Sequence, residues 1–374
     1  MSIYLHIPFC SHICTYCDFP KVLKNKTWIK QYLKSLEKEI KQNYKGEIVD
    51  TIYIGGGTPS ALDLEDLKTL FDIIKLFKIK ENTEITLEAN SEDLTENKLK
   101  FLKDKINRLS IGIETFNKKI LKTLNRKINI KNIKNAFNYF NNINLDLMYG
   151  FKNQSLNDLE EDLEKIINLN PTHISTYSLI IEPNTKLYIE NYQNIEEDKD
   201  RKMYEMIIKK LRHNNYIQYE ISNFSKKGYE SKHNLVYWNN KKYYGFGLGA
   251  GGYIENTRYE NTRSLNNYLK GNYKLNEHKL SKSEEIQNEL ILGFRKIKGI
   301  NKNTFKKKYK MNLKDIKEIN KLLEKKLLIE DKNNIYINSK YIYISNEILI
   351  NFIDYVYPKE SIWYIRCRWL YERR

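Results

Sequence analysis

The chain has 374 residues, with 64 Lys and Arg against 47 Asp and Glu, for a formal charge of +17. That length suits a sizeable α/β unit plus an appendage; no run of 18 apolar residues occurs and the first residues enter a strand pattern at once, so neither a membrane span nor a secretory leader is expected and the expected location is cytoplasmic. Lysines are strewn along nearly every helical stretch without an arginine-rich stripe, so no specific nucleic-acid partner is expected.

The first element is a strand-like run at 2–9, followed by CSHICTYC, which places Cys10, Cys14 and Cys17 within eight positions. The fourth cysteine, Cys367, stands alone, so a disulfide framework is excluded and a tight cluster in a reducing compartment points to metal or redox use. Thiolates favour zinc, copper(I) or iron–sulfur clusters. A closed zinc site wants four ligands, with His6 or His12 as the fourth; three cysteines on a four-iron cube would leave one iron open to a substrate.

Further short apolar or aromatic runs follow at 51–54, 84–88, 108–113, 144–149 and 173–179, and each but the last precedes a helical pattern. At 63–77, Leu64, Leu67, Phe71 and Ile74 recur at three- and four-residue steps, behind Ser60 and Asp63 as a capping pair. Some six βα repeats predict an α/β fold, a partial (β/α)6 barrel whose reactive face lies at the carboxyl ends of its strands. A helix near 198–212 then leads into 216–221 and a glycine- and aromatic-rich region at 245–253. From about 281 the texture changes: helical patterns at 283–296 and 313–327, β-like runs at 328–329 and 335–337 and a last helix at 346–355 predict a smaller α+β domain of winged-helix type. The expected division is a barrel at 1–215, an extension at 216–280, the α+β domain at 281–355 and an atypical tail at 356–374.

Cys10-x-x-x-Cys14-x-x-Cys17, preceded by Tyr4-x-His6-Ile7-Pro8-Phe9, resembles the signature of radical S-adenosylmethionine (SAM) proteins, in the branch similar to coproporphyrinogen oxidase. The resemblance implies a [4Fe-4S] cluster on Cys10, Cys14 and Cys17, supplied by an electron donor, whose open iron chelates SAM and whose electron cleaves the sulfonium. Gly55-Gly56-Gly57-Thr58-Pro59 after the second strand resembles the family's glycine motif. The implied SAM contacts are Tyr4, Gly56, Gly57, Thr58, Glu88, Glu114, Arg126 and Asp146. Two departures stand out: Glu114 replaces the family's usual glutamine, and Phe151-Lys152-Asn153-Gln154 replaces its Leu-Pro-Gly-Gln.

Two residues past Cys17, the decarboxylating oxidases usually carry a fourth cysteine, whereas this chain has Asp18-Phe19, similar to heme chaperones of the HemW type. His233-Asn234-Leu235-Val236-Tyr237-Trp238 resembles the His-Asn-x-x-Tyr-Trp motif of those chaperones, which implies heme on His233, Tyr237 and Trp238. The glycine run at 245–252 lacks a following Lys-Ser/Thr and is no phosphate loop. The expected function is that of a heme chaperone that binds a cluster, SAM and heme and passes heme to an acceptor hemoprotein, with a homodimer possible. The alternatives are radical decarboxylation of coproporphyrinogen III and, third, RNA modification.

Overall fold

The computed structural model describes residues 1–353; the tail expected at 356–374, and the end of the helix expected at 346–355, lie outside them. Six strands, β1 (Ser2–Ile7), β2 (Ile48–Gly56), β3 (Lys78–Asn90), β4 (Arg108–Glu114), β5 (Ile143–Tyr149) and β6 (His173–Ser178), lie side by side in chain order and all run parallel. These are the six runs expected from the sequence. The structure starts β3 six residues earlier than expected because its first five residues are solvent-exposed and carry no apolar signal.

Strict alternation organises the sheet. Ile3, Leu5, Ile52, Leu87, Ile111 and Leu145 point to one face and pack into the main core, together with helices Lys26–Asn43, Leu64–Ile74 and Leu156–Leu169. The intervening positions, Tyr4, His6, Tyr53, Glu88, Arg108 and Asp146 among them, share the other face. A parallel strand covered on both sides by apolar layers reads as a continuous hydrophobic run; this one does not, and its second face encloses a polar interior.

The expected capping pair is corrected. Asp63 occupies the N-cap of Leu64–Ile74 but makes no side-chain cap bond, and Ser60 lies in a 3-10 turn, Pro59–Ala61, where its hydroxyl bonds Asp93 at 3.2 Å and accepts from the Asn90 amide at 3.0 Å. The turn, with proline at its start, swings Ser60 away from the helix end.

Residues 216–280 extend both edges of the same sheet. At one edge, β7 (Ile217–Gln218) and β8 (Asn223–Ser225) add antiparallel strands beyond β6. At the other, β9 (Tyr243–Phe246) runs parallel to β1, followed antiparallel by β10 (Gly251–Ile254), β11 (Thr257–Asn261) and β12 (Lys274–Lys279). The order is β12-β11-β10-β9-β1-β2-β3-β4-β5-β6-β8-β7, and among the described residues its two end strands do not pair with each other, so the barrel they form is open. The glycine run serves this hairpin: a Cβ on Gly245 would fall 1.9 Å from the Gly251 carbonyl oxygen.

The carboxyl-terminal unit contains the two helices and two strands expected from the sequence, with one strand and one helix inserted between the helices. Helix Lys282–Gly293, with a Ser281–Glu284 capping box, leads to strand Ile300–Asn301, helices Lys302–Tyr309 and Lys317–Glu324, and strands Leu328–Glu330 and Asn334–Ile337. Asn334–Ile337 lies central and antiparallel to both neighbours. The helix Lys302–Tyr309 was not expected, because its lysine-rich run leaves only Phe305 and Tyr309 buried. Among the described residues no helix is long and apolar enough to cross a membrane.

Candidate functional site

At the carboxyl end of β1 the chain turns into a short parallel ribbon, Phe9–Cys10 beside Val22–Leu23, and the cysteine loop lies between its two strands. Cys10 is buried, while Cys14 and Cys17 are half-buried. Burial raises all three thiols, Cys10 to about 11 and Cys14 to about 12, so the metal-free thiols stay protonated and ligation would release their protons. The Thr58 hydroxyl donates to Cys10 Sγ at 3.5 Å, a contact suited to a thiolate. Among the described residues no three His, Cys, Asp or Glu side chains are grouped to hold a single metal ion. The thiolates of a cube each meet a different iron, so such a set does not converge on one point. Of the two histidines considered as a fourth zinc ligand, His6 is engaged at both nitrogens: Nε2 donates to the Pro20 carbonyl at 2.7 Å and Nδ1 accepts from Tyr4 at 3.0 Å.

The glycine turn is fastened to this loop. The Gly57 amide donates to Ile7 O and the Thr58 amide to Phe9 O, both at 2.9 Å. Gly56 has φ +112°, and a Cβ there would lie 2.4 Å from the His6 ring; one on Gly57 would lie 2.6 Å from the Pro8 carbonyl carbon. Both glycines are dictated by close approach of chain to chain.

From the turn a polar network spreads across the strand ends. Glu88 accepts from the Gly56 amide at 3.0 Å and from Tyr53 at 2.7 Å, and burial raises its carboxyl above the usual range. Arg126 donates to Glu114 at 2.6 Å, to Asn90 at 2.5 Å and to the Gly112 carbonyl at 2.9 Å. Tyr16, in the cysteine loop, donates to the other Glu114 oxygen at 3.1 Å. Glu114 has φ +60°, a strained conformation for a non-glycine residue, held here by hydrogen bonds from Arg126 and Tyr16. Asp146 is bonded by Ser110 at 3.3 Å and Asn144 at 2.9 Å, and burial raises its carboxyl too. The structure thus sets Thr58, Glu114 and Arg126 beside the cysteine loop, with Gly56 and Gly57 in the adjoining turn; Tyr4 and Glu88 join them through His6 and Gly56, and Asp146 lies on the next strand, bonded to Ser110 and Asn144.

His233, Tyr237 and Trp238 lie elsewhere. Helix Lys232–Trp238, capped by Ser231, closes the amino end of the barrel, where Glu84 of β3 accepts the backbone amides of Lys232 at 3.1 Å and His233 at 3.0 Å. The His233 ring is 1% exposed, and burial lowers it to about 3, so it is neutral. Its Nδ1 is paired with the Thr51 hydroxyl and its Nε2 with the Tyr237 hydroxyl, each at 2.8 Å. A neutral imidazole suits heme iron, but one of these bonds must open before a nitrogen is free to ligate. Trp238 stacks under the Arg295 guanidinium at 4.8 Å.

Sequence reading missed the residues that join the two ends. Tyr53 packs its ring 5.2 Å from His233 and sends its hydroxyl to Glu88. Arg108 Nε and the Thr86 hydroxyl, paired across β3 and β4, are buried without a hydrogen-bond partner among the described residues. Period-two polar positions inside otherwise apolar strands were the signal available for all three.

Residues 4–166 match the Radical SAM superfamily. The heme chaperone HemW of Lactococcus lactis is 38% identical over 370 residues, covering 94% of this chain and 97% of that protein. HemW of Bacillus subtilis is 38% identical over 375 residues, covering 94% and 99%. Coproporphyrinogen III oxidase (HemN) from Escherichia coli, a radical SAM enzyme, superposes with a TM-score of 0.83 over 95% of this chain and 90% of its own, at 21% identity, which establishes a shared fold alone. With an open α/β barrel, three cysteines at its mouth and relatives aligned over nearly their whole length, the chain belongs to the HemW family of the radical SAM superfamily.

Proposed function

We propose that the protein is a heme chaperone: it holds a [4Fe-4S] cluster on Cys10, Cys14 and Cys17, binds SAM beside it, carries heme and delivers it to an acceptor hemoprotein. The observation that carries this reading is 38% identity to HemW proteins sustained over 94% of the chain. Asp18-Phe19 in place of a fourth cysteine supports it against the decarboxylating alternative. The cluster, when bound, supplies an open iron and single electrons. The chain's own residues supply position. Thr58 donates to Cys10, the Gly56–Gly57 turn lets the chain pack directly against His6 and Pro8 beside the loop, and the Glu114–Arg126 ion pair lies beside Cys14 and Tyr16. Glu88 and Asp146 provide the carboxylates for the hydroxyl and amino groups of SAM. His233 is the proposed iron ligand, with Tyr237 and Trp238 as its aromatic surround.

The test is anaerobic titration with heme. Wild-type protein should develop a Soret band that shifts or fades in His233→Ala; an identical spectrum in that variant removes His233 as ligand. Cys10→Ser, Cys14→Ser and Cys17→Ser should each abolish the brown colour and the EPR signal seen after dithionite. Turnover of coproporphyrinogen III by the reconstituted wild type would overturn the chaperone reading.

A further inference from the structure

A cavity of about 290 Å³ opens on the outer side of the barrel's amino end, next to helix Lys232–Trp238. Lys80, Lys232, Lys241 and Lys242 line it, with Thr51 and Val236 among its walls. Its one lining carboxylate, Asp50, is already taken, by Lys80 at 2.5 Å and by the Met1 amine at 2.9 Å. The Lys242 ammonium lies over the Tyr253 ring at 3.6 Å and donates to Asn256 at 3.1 Å. Lys232 and Lys241 have no carboxylate partner among the described residues. Lys80 is neutralised by Asp50 and Lys242 faces Glu285 at 4.0 Å, which leaves Lys232 and Lys241 as like charges beside one concave surface, where an anionic ligand would supply the missing counter-charge. Burial holds Lys242 down at about 8, against the Glu285 carboxylate 4.0 Å away, which raises it.

What distinguishes this cavity from a generic lysine patch is the wall behind it. Thr51 lines the cavity and bonds His233 Nδ1 at 2.8 Å, so a single side chain separates the lysines from the imidazole. Val236, one helical turn from Lys232, adds an apolar contact. The matching ligand has an acidic edge, an apolar body and an atom that accepts an imidazole lone pair.

We propose that this cavity receives the carboxylate-bearing edge of a tetrapyrrole, with Lys232 and Lys241 as its carboxylate anchors and Thr51 as the gate to His233; the inference rests on heme binding as proposed above. The full chain, under anaerobic conditions, is titrated with hemin and with hemin dimethyl ester, whose carboxylates are blocked. Wild type should bind hemin at least tenfold tighter than the ester. K232E/K241E, with both substitutions at the exposed rim, should lose that preference while binding the ester as before. K306E/K307E, in the carboxyl-terminal unit, makes the same change in net charge and should keep the preference. Hemin binding unchanged in K232E/K241E, or weakened equally in K306E/K307E, overturns the inference and leaves heme binding standing. If wild type binds neither compound, heme binding itself fails and the inference falls with it.

Discussion

Glu114 shows how one substitution in a family pattern is accommodated. A carboxylate accepts where glutamine both donates and accepts, and here every neighbour within reach donates: Arg126 to one oxygen and Tyr16 to the other. The pair is buried, with side-chain exposures of 4% and 9%, so removing the carboxylate leaves a guanidinium without its counter-charge. Glu114→Ala should cost roughly 3–5 kcal/mol in denaturant unfolding, while Glu114→Gln retains a hydrogen-bond acceptor and should cost less. A second buried carboxylate gives a pH signature. Glu39, on helix Lys26–Asn43, accepts from the Gly247 amide, Asn261 and Tyr268, and burial raises it to about 7. Because the folded protein holds this proton more tightly than the unfolded chain, its contribution to stability is full below the unfolded value near 4.5 and is lost as pH rises toward 7. Thermal melts from pH 5 to pH 8 should show that decline, on the order of 3 kcal/mol, and Glu39→Gln should flatten it.

At the scale of elements, the turn after β2 and the ribbon that carries Cys10 are built as one piece. Gly57 and Thr58 donate backwards to Ile7 and Phe9, and no side chain fits between these segments. Gly57→Ala would drive a methyl group against the Pro8 carbonyl, which is backbone and cannot rotate aside. The expected cost is about 1–3 kcal/mol, read as a lower melting temperature, together with less iron retained per chain on reconstitution. The helix at the opposite end of the barrel is fixed differently: Glu84 takes its first amides, and Ser231 caps it. Its identity as a motif was legible in the six letters HNLVYW. Its position as a plug was not, since the Thr51–His233 bond joins residues 182 positions apart.

Across the whole molecule, the carboxyl-terminal unit is latched to the barrel by backbone and side chain together. The Ile221 amide donates to Arg295 O at 3.2 Å and the Ile297 amide to Tyr219 O at 3.1 Å, extending the barrel edge across the junction. Arg295 covers Trp238, Lys296 donates to Asn239 at 2.5 Å, and Tyr343 donates to Asp200 at 3.0 Å. One apolar cluster runs from β1 through Phe294 to Phe352. Guanidinium unfolding followed by far-ultraviolet circular dichroism and by tryptophan fluorescence should therefore give coincident transitions; separate midpoints would mean that the two units fold independently.

The amino-acid sequence alone determined the six parallel strands, because apolar residues at period two and the helical spacing between them are local signals. It also determined the cysteine triad and the glycine turn, whose chemistry is written in adjacent letters. Tertiary structure decided what distance in the chain conceals. It placed β9 beside β1 as a seventh parallel strand, paired Glu114 with Arg126, and set Tyr53 between His233 and Glu88. Buried polar groups choose their partners by position in space and must be satisfied there, so no local pattern names those partners before the chain has closed around them.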